Sequence, residues 1–480
     1  MSRQSTTARS RIACLVLGWS LVTPAALALD SDAPAVEQIT DELIAEALAS
    51  NLGLSGAAAG VDQRLAALDA ARARFLPTID LQMRYSRADG GREIEFPVGD
   101  LLNPVYASLN SLLTAAGQPA SFTPIANQTF NLLREREQDS VLRLSQPLYD
   151  ARLAATRREA AYDYDAATFG LEAYRLRLTR DVRQAYYRWL AARESGAILA
   201  ATLELARENE RVNASLHRNG KVTRDLVLRA EADRLEVEQQ LIRIRAIELL
   251  ARRYVNLLCN APLERELAAA PVSDADLPQL ASRIPRHAAP ATLEDTALAQ
   301  RAELRQLEAG VAAAGESERV AKAAYRPQFS LALDAGTQGS DWDYGDQDPY
   351  VMASVIVRFN FFRGGADHAA LRAARARSAE LQADHALAEQ QVRIEVLEAL
   401  SDLEVAEASL ATANRRADAA TAAFAIVSRK RDLGQVPPAE YLDAQHALTQ
   451  ARLNGNITRF ETLGALAEVE YAIGGVEQQP

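Results

Sequence analysis

The chain is short of most residues that redox, metal and covalent chemistry use. Its 480 residues include two cysteines, three methionines and three tryptophans, and aromatic side chains make up only 6% of the total. Cys14 lies in an N-terminal segment that reads as removable, so Cys259 would be the lone thiol of the exported chain, and an internal disulfide is excluded. The near absence of methionine argues against a Met-lined copper or silver path. His217, His287, His368, His385 and His446 are scattered, none at a ligand spacing from another His or a Cys, so no metal site is expected. No Gly-rich phosphate loop or Ser/His/Asp constellation stands out, which leaves an exported enzyme without a site and implies no cofactor. Basic residues are outnumbered 53 to 64, for a formal net charge of -11, and that disfavours nucleic acid as a partner. Beyond the N-terminal segment there is no run of 18 or more apolar residues, so the chain does not cross a membrane as a hydrophobic helix.

What the chain has in quantity is helix former: alanine, leucine, arginine and glutamate dominate. At the start, Arg3, Arg9 and Arg11 precede an apolar stretch over 12–22 and the small-x-small site Ala26-Leu27-Ala28, the pattern of a signal peptide over residues 1–28. Loss of those three arginines makes the exported chain more acidic still.

The chain also repeats itself. A shift of 250 positions lays residues 47–81 on 297–331 without a gap: Gly60-Val61 meets Gly310-Val311, Phe75 meets Tyr325, and Pro77 meets Pro327. In each copy a helical tract, about 40–74 in the first, is stopped by the proline, which cannot continue the hydrogen-bond ladder. Alternating segments follow. Ile79, Leu81, Met83 and Tyr85 share one face against Asp80, Gln82 and Arg84; Leu142 and Leu144 mark a second strand that Pro147 is expected to end. In the second copy Phe329, Leu331 and Leu333 alternate likewise, and Val351 through Phe361 hold one apolar face for eleven residues, about what a tilted strand needs to cross a bilayer. The expected strand pairs are 77–86 with 140–147 and 327–335 with 350–361. The first tip, 86–139, is a long insertion with helical pattern around 101–113; the second, 336–349, is short and polar.

Each copy then turns helical for a long way. Residues 151–217 contain no proline and two glycines, and about 67 helical residues would extend roughly 100 Å. Trp189, Tyr186 and Tyr187 there read as helix packing. Breaks at Gly220 and Gly434 suit left-handed turns, after which a second helix returns. The expected organisation is therefore a first repeat over 29–260 with a helix hairpin at 151–259, a proline-rich linker or equatorial segment at 261–291, and a second repeat over 292–480 with a hairpin at 366–474. The fold class is mainly α with a small β part. Four strands cannot close a membrane barrel, because open edges would leave backbone groups unpaired in lipid. Several copies must pool their strands, and three would give twelve.

Helix-to-strand joints at Phe75-Leu76-Pro77 and Tyr325-Arg326-Pro327 carry a resemblance. So do Leu144-Ser145-Gln146-Pro147-Leu148-Tyr149-Asp150, Phe361-Phe362-Arg363-Gly364-Gly365, and the turns at Gly220 and Gly434. In this order, and duplicated, they make the chain resemble the TolC-like outer-membrane efflux or secretion channels over nearly all of its exported length. The resemblance implies a homotrimer, with a twelve-strand β-barrel in outer-membrane lipid and an α-barrel of helix hairpins reaching through the periplasm. It implies a periplasmic adaptor (membrane fusion protein) and an inner-membrane pump of RND or ABC type as partners. Export would be passive, without enzymatic chemistry, in a tripartite efflux pump or type I secretion system. Matched from Gly434, the family's acidic entrance positions fall on Glu440 and Asp443, which share a helix face and in a trimer would make two rings of carboxylates. Asp225 resembles the family's acidic gate partner, one residue out of spacing, and Arg224 or Arg431 could pair with an acid there. The competing reading is a periplasmic coiled-coil adaptor, which would account for export and helices but normally has one hairpin, not two.

Overall fold

The computed structural model describes residues 35–282, 284, 288–340, 342 and 348–475, and the expected signal peptide lies outside them. Two helices open the chain, α1 (Ala35–Ser50) and α2 (Leu52–Ala73). The single tract expected over 40–74 is broken at Asn51, whose side chain accepts from Leu54 N at 2.9 Å and donates to Leu258 O at 2.9 Å. A capping side chain offers the backbone an alternative to helix, and periodicity alone does not reveal it. Strand β1 (Thr78–Arg87) follows, then an outlying module of β2 (Glu93–Phe96), α3 (Val98–Ala115) and β3 (Gln128–Asn131). The chain returns through β4 (Arg136–Tyr149) into α4 (Ala151–Arg218) and α5 (Arg224–Leu258). A short helix α6 (Leu277–Ala281) precedes the second copy: α7 (Pro290–Gln300), α8 (Ala302–Lys322), β5 (Gln328–Gly339), β6 (Asp348–Arg358), α9 (Ala366–Asp432) and α10 (Pro438–Ala472).

The internal repeat is structural as well as textual. Asn51 and Arg301, aligned by the 250-residue shift, both stand at a helix break with nearly the same extended backbone, φ -61 and ψ 126 against φ -62 and ψ 116. Helices α4 and α9, of 68 and 67 residues, are each about 100 Å long. Next to the sheet, α4 packs on α2 and α8; further away it packs on α5 and α10, while α9 packs on α8, α7 and α10. Trp189, Tyr186 and Leu190 of α4 are fully buried in the main core with Leu463 and Val469 of α10.

The segment expected as a linker or equatorial segment contributes apolar residues to that core. Leu267, Ala270, Val272, Leu280 and Ala281 are buried in it, and the Tyr186 hydroxyl donates to Ala268 O at 2.9 Å while accepting from Ala270 N at 3.3 Å. Prolines break the spacing of these apolar residues, so their shared face is invisible as a period.

One antiparallel sheet runs β1-β4-β5-β6, with β1 and β6 at its edges. Register places Ile79, Leu81, Leu142, Leu144, Leu333, Val351, Val355 and Val357 on one face, and all but the half-buried Leu144 are exposed. The other face carries Asp80, Arg143 and Asp334 in one row. Arg143 donates from Nε and Nη2 to the two Asp334 carboxylate oxygens at 2.7 and 2.8 Å. Two strand expectations need correction. Pro147 does not end β4: pairing with β5 continues to Tyr149, with a register shift between Pro147 and Tyr149 where the missing N–H interrupts the ladder. The apolar face of β6 stops short of Phe359 and Phe361, because the last β5 partner, Gln328, meets Arg358; the two rings instead meet edge to face at 4.8 Å beyond the sheet.

Candidate functional site: the hairpin tips and their cross-links

The end of the molecule far from the sheet is built from two helix turns. Each ends a long helix with a glycine in the left-handed region, Gly220 at φ 65 and Gly434 at φ 70. The carbonyls left over are taken up in the same pattern: Lys221 N reaches Leu216 O and Gln435 N reaches Lys430 O, both at 2.9 Å.

Glu440 and Asp443 lie in the first two turns of α10, and both are exposed. What orients them is Tyr441 between them, which is buried against the Phe424 ring at 5.5 Å and lies under the Arg431 guanidinium at 4.0 Å. Burial pushes the Tyr441 phenol up, with the Arg431 charge opposing. With Tyr441 turned inward, the two carboxylates face away from α9. Arg431 is therefore engaged with an aromatic ring of its own hairpin, and its charge also reaches Glu208 on α4. Arg224 is exposed at the first position of α5. Asp225 is used by its own helix start. Hydrogen bonding to the Thr223 side chain, helped by the amides of Asp225 and Leu226 and by Arg229, holds its carboxyl below the ordinary carboxylate value. The structure thus brings neither Asp225 nor Arg224 together with Arg431 within one protomer.

A direct link between the two hairpins lies about two to three turns in from the tips, at residues that the sequence pattern does not single out. His446 Nε2 of α10 lies 2.8 Å from Asp233 Oδ1 of α5, off the line of a well-formed hydrogen bond. The Asp233 side chain is 5% exposed and its carboxyl is pushed up by burial, with His446 opposing and Glu236 adding to the rise. Around the pair is a cavity of about 290 Å³ lined by Thr202, Glu236, Gln240, Gln445 and Thr449 among others. Further polar links join α4 to α10: Thr202 to Thr449 at 3.2 Å, and Asn456 Nδ2 to Ala191 O at 2.8 Å and to Ser195 Oγ at 2.9 Å. The only legible hint was positional, since Asp233 and His446 stand at similar distances from their respective glycine turns.

Among the described residues, no three His, Cys, Asp or Glu side chains are grouped to hold a metal ion, and no helix is long and apolar enough to cross a membrane.

Comparison with known proteins gives one family. The model of the outer membrane efflux protein family matches residues 43–253 and 293–475, once in each repeat. A search of curated proteins returns no match. Among solved structures, the CmeC outer membrane channel of Campylobacter jejuni is similar at TM-score 0.75 and 18% identity, covering 92% of this chain and 87% of that one. The VceC outer membrane protein of Vibrio cholerae is similar at TM-score 0.70 and 17% identity, with 91% and 96% covered. The open state of the MtrE outer membrane channel of Neisseria gonorrhoeae is similar at TM-score 0.71 and 18% identity, with 91% and 89% covered.

Proposed function

The chain belongs to the outer membrane efflux protein family, a family of outer-membrane channels and not of enzymes, and from that premise we propose that three copies form one continuous exit duct. Each contributes four strands to a twelve-strand barrel in the outer membrane and four long helices to a tunnel in the periplasm. Residues 1–28 act as the export signal, 29–260 and 292–480 are the two repeats, and 261–291 is the equatorial segment between them. This reading replaces the alternative that the chain is itself a periplasmic adaptor.

The observation that carries it is the sheet: one face is apolar and largely exposed, and among the described residues neither edge strand has a second partner strand. In lipid such edges are tolerable only when closed, and pairing β1 with β6 of the next copy closes them. The helices offer matching support. Ile247, Leu250, Tyr254 and Leu257 form an exposed stripe at 3-4-3 spacing on α5, and Ile394 and Leu397 stand exposed on α9, as seams awaiting a neighbour would.

The duct does no chemistry; solutes leave passively once an energised inner-membrane pump, coupled through a periplasmic adaptor, delivers them. A tripartite efflux pump is the setting the family supports, and type I secretion uses the same geometry. At the tunnel entrance Glu440 and Asp443 form two rings of three carboxylates that favour cations. Asp225, Arg224 and Arg431 contribute gate contacts between copies. In planar bilayers, Glu440→Gln with Asp443→Asn should lower the cation preference of the channel; unchanged selectivity would remove the ring from the model. Recovery from the outer membrane as a trimer that survives mild detergent is expected, and a soluble monomer would overturn the whole reading.

A further inference from the structure

The module between β1 and β4 is amphipathic the wrong way round for a loop tip. One face of α3, with Asn103, Tyr106 and Asn110 at 3-4 spacing, is covered by the chain returning from it. Asn103 donates to Ile125 O at 2.9 Å and accepts from Ile125 N at 2.8 Å. Asn110 does the same with Phe122, at 2.7 and 3.0 Å, and Tyr106 packs on the Phe122 ring at 5.2 Å. The opposite face carries Leu101, Val105 and Leu112, which are 71%, 52% and 67% exposed. The polar side is therefore partly covered by its own chain and the apolar side is left exposed. Ile94, Phe96 and Phe130 add exposed apolar surface on one face of the β2–β3 ribbon. A patch of this kind on a folded protein marks a contact surface.

Three features specify what covers it. The module grows directly out of β1, the edge strand that closes the barrel against the next copy, so it is continuous with that interface. It stands at the end of the sheet away from α4, since β4 runs from the module into that helix. Twelve strands spaced about 4.8 Å and tilted about 40° enclose a mouth roughly 25 Å across, and the 18 residues of α3 span about 27 Å. Three such helices rooted on one rim reach each other. Lipid is the poorer partner, because α3 carries a single charge, Asp100, and no Lys or Arg to meet anionic head groups. A bend is available at Gly90 and Gly91, with φ 76 and 122, in the step between β1 and β2.

We infer that the α3 helices of three copies pack stripe to stripe over the outer mouth, forming a cap that cargo must part in order to leave. The occupant of each stripe is a second copy of this chain, and the inference rests on the trimeric reading above. The test uses single cysteines in the full-length channel in intact cells, where the native Cys259 is buried. Val105→Cys and Leu112→Cys should give covalent dimers under mild oxidation, read after heat denaturation, whereas Ala107→Cys, exposed on another side of α3, should not. Native trimers that yield only monomers after oxidation would overturn the cap and leave the duct intact; absence of trimers altogether would instead strike at the duct. A fluorophore at Val105→Cys that is quenched by spin-labelled lipid would also overturn the cap. As a second readout, Leu101→Ser with Val105→Ser and Leu112→Ser should raise single-channel conductance by about twofold or more, and unchanged conductance counts against a closed mouth.

Discussion

Replacing His446 by alanine takes away the imidazole that lies 2.8 Å from the buried Asp233 carboxylate, across the boundary between the two hairpins. The carboxylate then has two poor choices: stay ionised with its side chain only 5% exposed, or take up a proton. His446 makes no well-formed hydrogen bond with it but opposes the rise that burial imposes on the carboxyl; losing the one nearby group that does so costs about 1–3 kcal/mol, and that cost falls only on the arrangement in which α5 and α10 lie together. Once the hairpins part, water reaches Asp233 and the cost disappears. Each protomer should therefore shift its balance toward separated hairpins by about 5- to 150-fold, and by the product over three copies if they move together. The assay is the fraction of time that single channels spend conducting in a planar bilayer at neutral pH. His446→Ala should raise it, His446→Gln should raise it less, and on an Asp233→Asn background the alanine change should have little further effect, since the two residues are coupled. An intact trimer in which His446→Ala conducts like the parent channel would refute the reasoning.

Two further predictions concern groups away from that link. Burial, aided by Glu46 and opposed by Arg265, pushes the Cys259 thiol up to about 11; labelling by Ellman's reagent at pH 8 should be slowed about 100-fold by ionisation alone and become complete on denaturation, and fast labelling of the native channel would contradict the burial. Asp225 has its carboxyl held below the ordinary value by Thr223 and the helix-start amides, so its stabilisation of α5 is present above the unfolded-state value of 3.8 and is lost as pH falls through the lower folded value. Amide exchange over 224–229, corrected for intrinsic rates, should accelerate below about pH 3.8, and Asp225→Asn should show that loss at neutral pH.

Much of the fold was legible because it is written in local chemistry. Pro77 and Pro327 stop helices for want of an N–H, Gly220 and Gly434 supply left-handed turns, and strict alternation through Ile79–Leu81–Met83 separates a greasy face from a wet one. The misses share a different cause. Asn51 breaks a tract rich in helix formers, because its side chain finds both Leu54 N and the end of α5. Phe359 and Phe361 keep the alternation of β6 but leave the sheet, because pairing needs a partner strand and β5 begins only at Gln328. The proline-rich segment expected as a linker or equatorial segment also sends Leu267, Ala270, Val272, Leu280 and Ala281 into the core, and Tyr186 holds it from 82 residues away in sequence.

The candidate site divides the same way. Glu440 and Asp443 could be placed on one face by helical spacing alone, but it took the burial of Tyr441 to say which way that face looks. Asp225 was readable as an acid beside a turn; that it serves its own helix start depends on Thr223 and two amides arranged in space.

By itself the sequence determined the duplication, the long helices, the amphipathic strands and the shortfall of four strands that calls for further copies, because each follows from neighbours along the chain and from backbone hydrogen bonding. Only the tertiary structure decided which distant residues meet: Asp233 with His446, Arg143 with Asp334, Tyr186 with the equatorial segment, and the covered and free sides of α3. Those meetings depend on how hairpins and ribbons cross, a matter of packing between surfaces that no local period encodes.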